Sequence, residues 1–249
     1  MKTKNYFNNV LERLSLLYFA FVGLSIFITF SIFMLLTGVL RNHHPLISSL
    51  HYYTMLYPIK LYIWLSPIKY SISGLEVLEK VKDKNIILIA NHRSHMDMFL
   101  LLANIYRLRA VANSYLFKVP LIGTIMSLSG HFKLEKGNIT QYLGEETRIK
   151  KSITSKDRVL FFPETSRCPQ GMKGTQKFRL IPFKIARELE AYIIPIAISN
   201  TDNVWPKYKM QINYKEKINI QILPPIYSKD FENTAHLAKY TKLMIEENI

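Results

Sequence analysis

The chain has 249 residues, 49% of them hydrophobic, with 33 Lys and Arg against 18 Asp and Glu and a formal net charge of +15. The apolar content excludes a disordered chain, the single cysteine excludes a disulfide scaffold or a thiolate-built zinc site, and the length suits one substantial domain with an appendage. Such a greasy, basic chain is suited to nucleic acid, an anionic membrane surface or an acidic small molecule, and only the distribution along the sequence separates these.

From Ser15 to Leu40 no residue carries a charge. A helix of that length would run about 39 Å, longer than a hydrocarbon core of about 30 Å, so an uncleaved membrane anchor is expected. A signal peptide would have a shorter apolar core and a small-residue cleavage site. Lys2, Lys4 and Arg13 on one side and Arg41, Lys60 and Lys69 on the other leave two topologies open. One is a single tilted span, the other a hairpin bent near Gly23 or Ser25. Between Pro45 and Pro67, Tyr and Trp beside Leu and Ile fit the headgroup layer of a membrane, or an aromatic-rich packing helix. Residues 1–72 are therefore expected to form the anchor and an interfacial helix region, and 73–249 the catalytic domain.

Beyond Ser73 short β-branched runs alternate with helical spacing. Strands are predicted at Ile86–Ala90, Ala110–Ala112, His131–Leu134, Arg158–Phe162, Tyr192–Ser199 and Ile218–Leu223, the last nearer a sheet edge because Ile alternates with Asn and Gln. Helices are predicted over Met96–Tyr106, Thr140–Ser152, Ile181–Leu189 and Thr234–Glu247. The alternation predicts an α/β domain with a central mixed sheet flanked by helices.

The first buried run ends in Asn91-His92-Arg93-Ser94-His95-Met96-Asp97. Polar residues massed at a strand's C-terminal end lie where open α/β sheets build their sites. A helix starting near Ser94 holds Asp97 in its first turn, within reach of an imidazole, whose other nitrogen is then left as a base. Ser94 and Asp97 equally resemble a helix capping box, and His95 is as close to Asp97 as His92. Two His and one Asp make only a weak metal set. Another strand ends in Phe162-Pro163-Glu164-Thr165-Ser166-Arg167, and from Arg167 to Arg187 six cations occur with no acid. That stretch suits a phosphate site or a solvated basic face. Nucleic acid is disfavoured because aromatics are sparse among these cations, Phe178 and Phe183 alone, where a strand-binding groove interleaves them regularly.

These blocks together resemble the glycerolipid acyltransferase family, in particular bacterial 1-acylglycerol-3-phosphate (lysophosphatidate) acyltransferases. The first block matches the family's His-four-residue-Asp motif, and the comparison selects His92 over His95. Lys118-Val119-Pro120-Leu121-Ile122-Gly123 with Gly130 to Lys136 is similar to the second block, which in the family usually ends in Arg. The third is similar to Phe-Pro-Glu-Gly-Thr-Arg, with Thr165 in place of Gly, and Ile194-Pro195-Ile196-Ala197 is similar to the fourth. Lys136 keeps the charge but not bidentate phosphate recognition, and Thr165 lacks the backbone freedom of Gly.

The resemblance implies acyl transfer from a thioester to the free hydroxyl of a lysophospholipid, most simply 1-acyl-sn-glycerol-3-phosphate, giving phosphatidic acid. His92 would be the base and Asp97 its partner, with Lys136, Glu164, Thr165, Ser166 and Arg167 around the glycerol-phosphate headgroup. Lys177 is added on local charge alone. No cofactor or metal is expected, and acyl-CoA or acyl carrier protein is the co-substrate. The expected partners are these substrates and an anionic membrane surface, not nucleic acid, at the cytoplasmic face of the cell membrane. Cys168 is expected to be incidental, and no Gly-x-Ser-x-Gly elbow points to a serine esterase. The alternatives are another lysolipid acceptor, or a membrane-tethered basic protein that binds lipid or nucleic acid.

Overall fold

The computed structural model describes residues 45–249 apart from 121, 135–138 and 208–212, together with scattered positions between 17 and 36. Helix α1 (Pro45–Leu65) precedes β1 (Lys69–Ser73), α2 (Leu75–Lys80) leads to β2 (Ile86–Ala90), and α3 (Met96–Asn104) to β3 (Leu108–Asn113). Next come α4 (Ile122–Leu128), the short β4 (Phe132–Leu134), α5 (Ile139–Thr154) and β5 (Arg158–Phe161). Helix α6 (Ile181–Glu188), β6 (Tyr192–Ser199) and α7 (Thr201–Val204) follow, then β7 (Lys217–Ile222), β8 (Ile226–Tyr227) and the closing α8 (Thr234–Glu246).

The strands form one mixed sheet in the order β1-β7-β6-β2-β5-β3-β4, with β8 paired to β6. Strands β6, β2, β5, β3 and β4 are mutually parallel, whereas β7 is antiparallel to β6 and parallel to β1. All five parallel strands thus end at one edge of the sheet. Because β1 runs the other way, α1 delivers the chain to that same edge. Strand β2 is central and buried throughout, which is why its run is apolar without alternation. Ile86, Leu88 and Ala90 pack into the core beneath α1 and α3, while Ile87 and Ile89 pack into the core beneath α5, α6 and α8. Each of the Ile and Leu side chains contributes about 1.5–3 kcal/mol of burial, so the strand feeding the site is held firmly on both faces.

Strand β7 lies beside the edge strand β1, and its alternating exposure matches its alternating sequence. Strand β1 was not anticipated. The sheet begins at Lys69, so a boundary at 72/73 runs through a strand. Among the described residues no helix is long and apolar enough to cross a membrane. The uncharged stretch expected as the anchor lies largely outside the described residues.

Candidate active site

Strand β2 ends at Ala90, and the Asn91 side chain then takes over the pairing with β6. Its amide donates to the Ile198 carbonyl and accepts from the Ile198 N–H, both at 2.8 Å. The backbone is thereby released from the sheet, and His92 falls on the loop before α3. Asp97, fully buried in the first turn of α3, gathers three donors on one oxygen. Its Oδ2 accepts from His92 Nδ1 at 2.8 Å, Arg93 N–H at 2.7 Å and Ser94 N–H at 2.9 Å. One carboxylate therefore orients the imidazole and ties down the two backbone N–H groups ahead of α3, an arrangement that resembles half of a capping box and also suits an imidazole base. A proton on Nδ1 leaves the Nε2 lone pair as the base. The ring stacks on Phe162, with centroids 4.2 Å apart.

The structure also separates the two imidazoles. His95 lies at the exposed rim with its ring edge-on to Trp205, 5.9 Å between centroids. Enough protein surrounds that ring for desolvation, followed by the charges of Arg167 and His92, to lower its pKa, so it is neutral at pH 7.

Glu164, expected at the headgroup, has a protein-facing position. It is buried, and both its oxygens are engaged by the protein itself. Oε1 accepts from His92 N–H at 2.8 Å; Oε2 accepts from Gln176 N–H and from the Cys168 thiol, each at 2.8 Å. The Cys168 N–H in turn donates to the His92 carbonyl at 2.7 Å. Glu164 thus fixes the backbone of His92 on the loop after β5. Burial first, and then the Glu164 carboxylate, push the Cys168 thiol up to about 12, which keeps it protonated and inert as a nucleophile.

Thr165 and Ser166 are exposed at the rim. Thr165 has φ +61°, the left-handed conformation that glycine adopts freely, so the loop keeps a glycine-like shape without the glycine. Arg167 is half-buried, and Lys177 is exposed on the segment that follows. Lys136 lies outside the described residues. Lys184 and Arg187 depart from the expected basic cluster: Lys184 faces Glu188 at 3.8 Å, and Arg187 donates to the Ser228 and Phe231 carbonyls.

Sequence reasoning missed Arg93. It is buried, pairs with Asp202 on α7 at 3.1 Å, and donates to the Gly174 carbonyl at 3.0 Å, clamping the loop after β5 to the segment after β6. A basic residue beside a candidate histidine was the one visible signal; its acid partner is too distant in sequence to be recognised.

An imidazole–carboxylate pair thus stands at the C-terminal edge of an open α/β sheet, beside a thiol held protonated and a rim that carries Arg167 and Lys177. A family model described as Acyltransferase matches residues 69–199, more than half of the chain, and the protein belongs to the acyltransferase family. It is 27% identical over 187 residues to the chloroplastic 1-acyl-sn-glycerol-3-phosphate acyltransferase BAT2 of Brassica napus, covering 75% of this chain and 51% of that protein. It is 26% identical over 153 residues to the 1-acyl-sn-glycerol-3-phosphate acyltransferase of Borreliella burgdorferi, covering 60% of this chain and 58% of that one. The chain spans about half the length of the plant relatives it matches. The crystal structure of the 1-acyl-sn-glycerophosphate acyltransferase PlsC from Thermotoga maritima superposes with a TM-score of 0.76 at 20% identity, covering 96% of this chain and 95% of that one, and shares its fold.

Proposed function

We propose that the protein transfers a fatty acyl group from a thioester to the free hydroxyl of a lysophospholipid, with 1-acyl-sn-glycerol-3-phosphate as acceptor and phosphatidic acid as product. The observation that carries this reading is the 2.8 Å contact between His92 Nδ1 and Asp97 Oδ2. It leaves Nε2 to accept the hydroxyl proton as the oxygen attacks the thioester carbonyl. Asp97 stabilises the imidazolium, the carbon–sulfur bond breaks, and the proton passes to the departing thiolate. Acyl-CoA or acyl carrier protein is the donor.

On this reading the chain works at the cytoplasmic face of a membrane, with residues 1–72 as its anchoring region. Helix α1 supports that placement. Tyr57, Lys60, Leu61 and Trp64 are exposed on one face, while Leu56 and Ile63 pack inward. Gly23 lies so near α1 that a Cβ there would fall 2.9 Å from the Tyr62 ring. A basic surface also gains about 1 kcal/mol per Lys or Arg close to anionic lipid.

The test is transfer from one labelled acyl thioester to a panel of lysolipids. Incorporation into phosphatidic acid is expected, and His92→Ala should lower it by about 10³-fold or more without releasing the protein from membranes. Undiminished activity in that variant would refute the assignment.

A further inference from the structure

The matched family region ends at Ser199, yet two later segments reach back to the catalytic loops. Residues 201–207 do so where Asp202 pairs with Arg93 at 3.1 Å, the Trp205 carbonyl accepts from Ser94 Oγ at 2.8 Å, and Lys207 Nζ donates to the Arg167 carbonyl at 3.1 Å. The second is the far end of α8. Ile245 is fully buried in the core beneath α5, α6 and α8, which fixes the last turn of the helix and with it the neighbouring Glu246. Glu246 Oε1 accepts from Thr175 N–H at 2.8 Å and from the Thr175 hydroxyl at 3.0 Å. The next N–H along the chain, that of Gln176, donates to Glu164 Oε2, and Glu164 Oε1 accepts from His92 N–H, both at 2.8 Å. Two consecutive N–H groups of one strap are thus taken by two carboxylates, one on the closing helix and one behind the base. The turn into this strap is tight. Gly174 has φ +73°, a Cβ there would fall 2.6 Å from Glu246 Oε1, and its carbonyl accepts from Arg93 at 3.0 Å.

We infer that Glu246 is a positioning residue for the His92 base, acting through Thr175, Gln176 and Glu164. The role rests on the acyltransferase reading above, since it serves the base that reading uses. Burial opposes ionisation of Glu246, but the bonds from Thr175 and the Lys242 ammonium at 3.5 Å outweigh it and hold the carboxyl below its usual range. Glu246 is therefore an anion at pH 7, and its bonds to the strap are charge-assisted. Without that carboxylate the Thr175 N–H and hydroxyl lose their tie to the rigid helix. The Gln176 N–H, one residue on, then loses the restraint that aims it at Glu164. Glu164 in turn holds the backbone of His92 less firmly. The direct bond between Glu164 and His92 survives, so the expected loss of rate is about tenfold, short of the about 10²-fold that a misplacement of about 1 Å can cost.

The experiment compares the full chain with Glu246→Ala, Glu246→Gln and Ala238→Gly, the last weakening α8 about two turns away from the strap. Each is measured by steady-state transfer and by hydrogen–deuterium exchange read with mass spectrometry. In Glu246→Ala kcat should fall about tenfold with the acceptor KM within about threefold. Exchange should quicken both in the strap, residues 172–177, and around the base, residues 91–97. Both Thr175 bonds end on one oxygen, which an amide also presents, so Glu246→Gln should keep kcat within about twofold of the wild type. Ala238→Gly should lower Tm and leave both kcat and exchange at 91–97 unchanged. An unchanged kcat in Glu246→Ala, or a tenfold rise in KM with kcat intact, overturns the proposal. So does an equal fall of kcat in Glu246→Gln or in Ala238→Gly, and so does faster exchange confined to 172–177. Exchange needs no turnover. Faster exchange at 91–97 in Glu246→Ala sustains the link to His92 even if no lysolipid is acylated, an outcome that would instead sink the acyltransferase reading.

Discussion

Replacing Glu164 by Gln separates a scaffold role from a ligand role. The carboxylate accepts from three donors, His92 N–H, Gln176 N–H and the Cys168 thiol, each at 2.8 Å. An amide presents one oxygen and one NH₂, so whichever way it turns, one backbone N–H faces a donor and is left unmade. Orphaning that N–H costs about 1–3 kcal/mol, and the remaining bonds lose their charge assistance. A destabilisation of about 2–3 kcal/mol follows, which for a chain of this size lowers Tm by about 4–12 °C. The amide oxygen keeps two of the three bonds at the Oε2 position, so the bond lost is the one that fixes the backbone of His92, and kcat should fall as well while KM for the acceptor changes little. Thermal unfolding followed by circular dichroism, beside steady-state kinetics with varied lysophosphatidate, measures both. An unchanged Tm with a KM raised tenfold or more would refute this reasoning and return Glu164 to the headgroup.

Asp97→Asn removes the charge that orients and stabilises protonated His92, so kcat at saturating substrates should fall about 10³–10⁴-fold; a loss under tenfold would contradict the pairing. Thr165→Gly relieves a left-handed backbone that costs a β-branched residue about 1–2 kcal/mol, partly offset by the freer unfolded chain. Tm should rise by about 1–4 °C with kcat unchanged, and a fall in Tm would show that the threonine is not strained. Burial, and next the charge of Arg109, lower the His131 pKa to about 4, while its Nδ1 accepts from Ala110 N–H at 2.9 Å. The unfolded chain takes up that proton first as pH falls, so the contribution is whole above about pH 6.5 and is lost towards pH 4. Urea titrations at pH 7 and pH 5 should show the wild type losing about 2 kcal/mol more than His131→Gln, and equal losses would reject the assignment.

The elements readable in advance were those whose sequence pattern reports burial directly. Strand β2 is apolar at every position because both of its faces are covered, and β7 alternates because one face is not. Strand β1, Lys-Tyr-Ser-Ile-Ser, is short and mixed, and nothing in it distinguishes a sheet edge from a linker. At the site, His92 and Asp97 were legible because they lie five residues apart across a single strand-to-helix turn, a local contact. The inward direction of Glu164 was not legible, because composition gives a side chain's chemistry but not where it points. Arg93 with Asp202, and Arg167 with Lys207, are contacts between loops of different strands, and only the strand order makes them neighbours.

Three separated stretches, 91–97, 162–168 and 201–207, meet at the parallel strand ends. Contacts of such long sequence separation are made only after the loops between them are closed, and that closure is a slow part of folding. A growing chain can fold α3 and cap it through Asp97 early, since those bonds are local. Arg93 and Arg167, however, find their partners only once Asp202 and Lys207 have emerged. During synthesis the protein therefore carries its base long before it carries a finished site, and the loops can lock together only after residues 201–207 have left the ribosome.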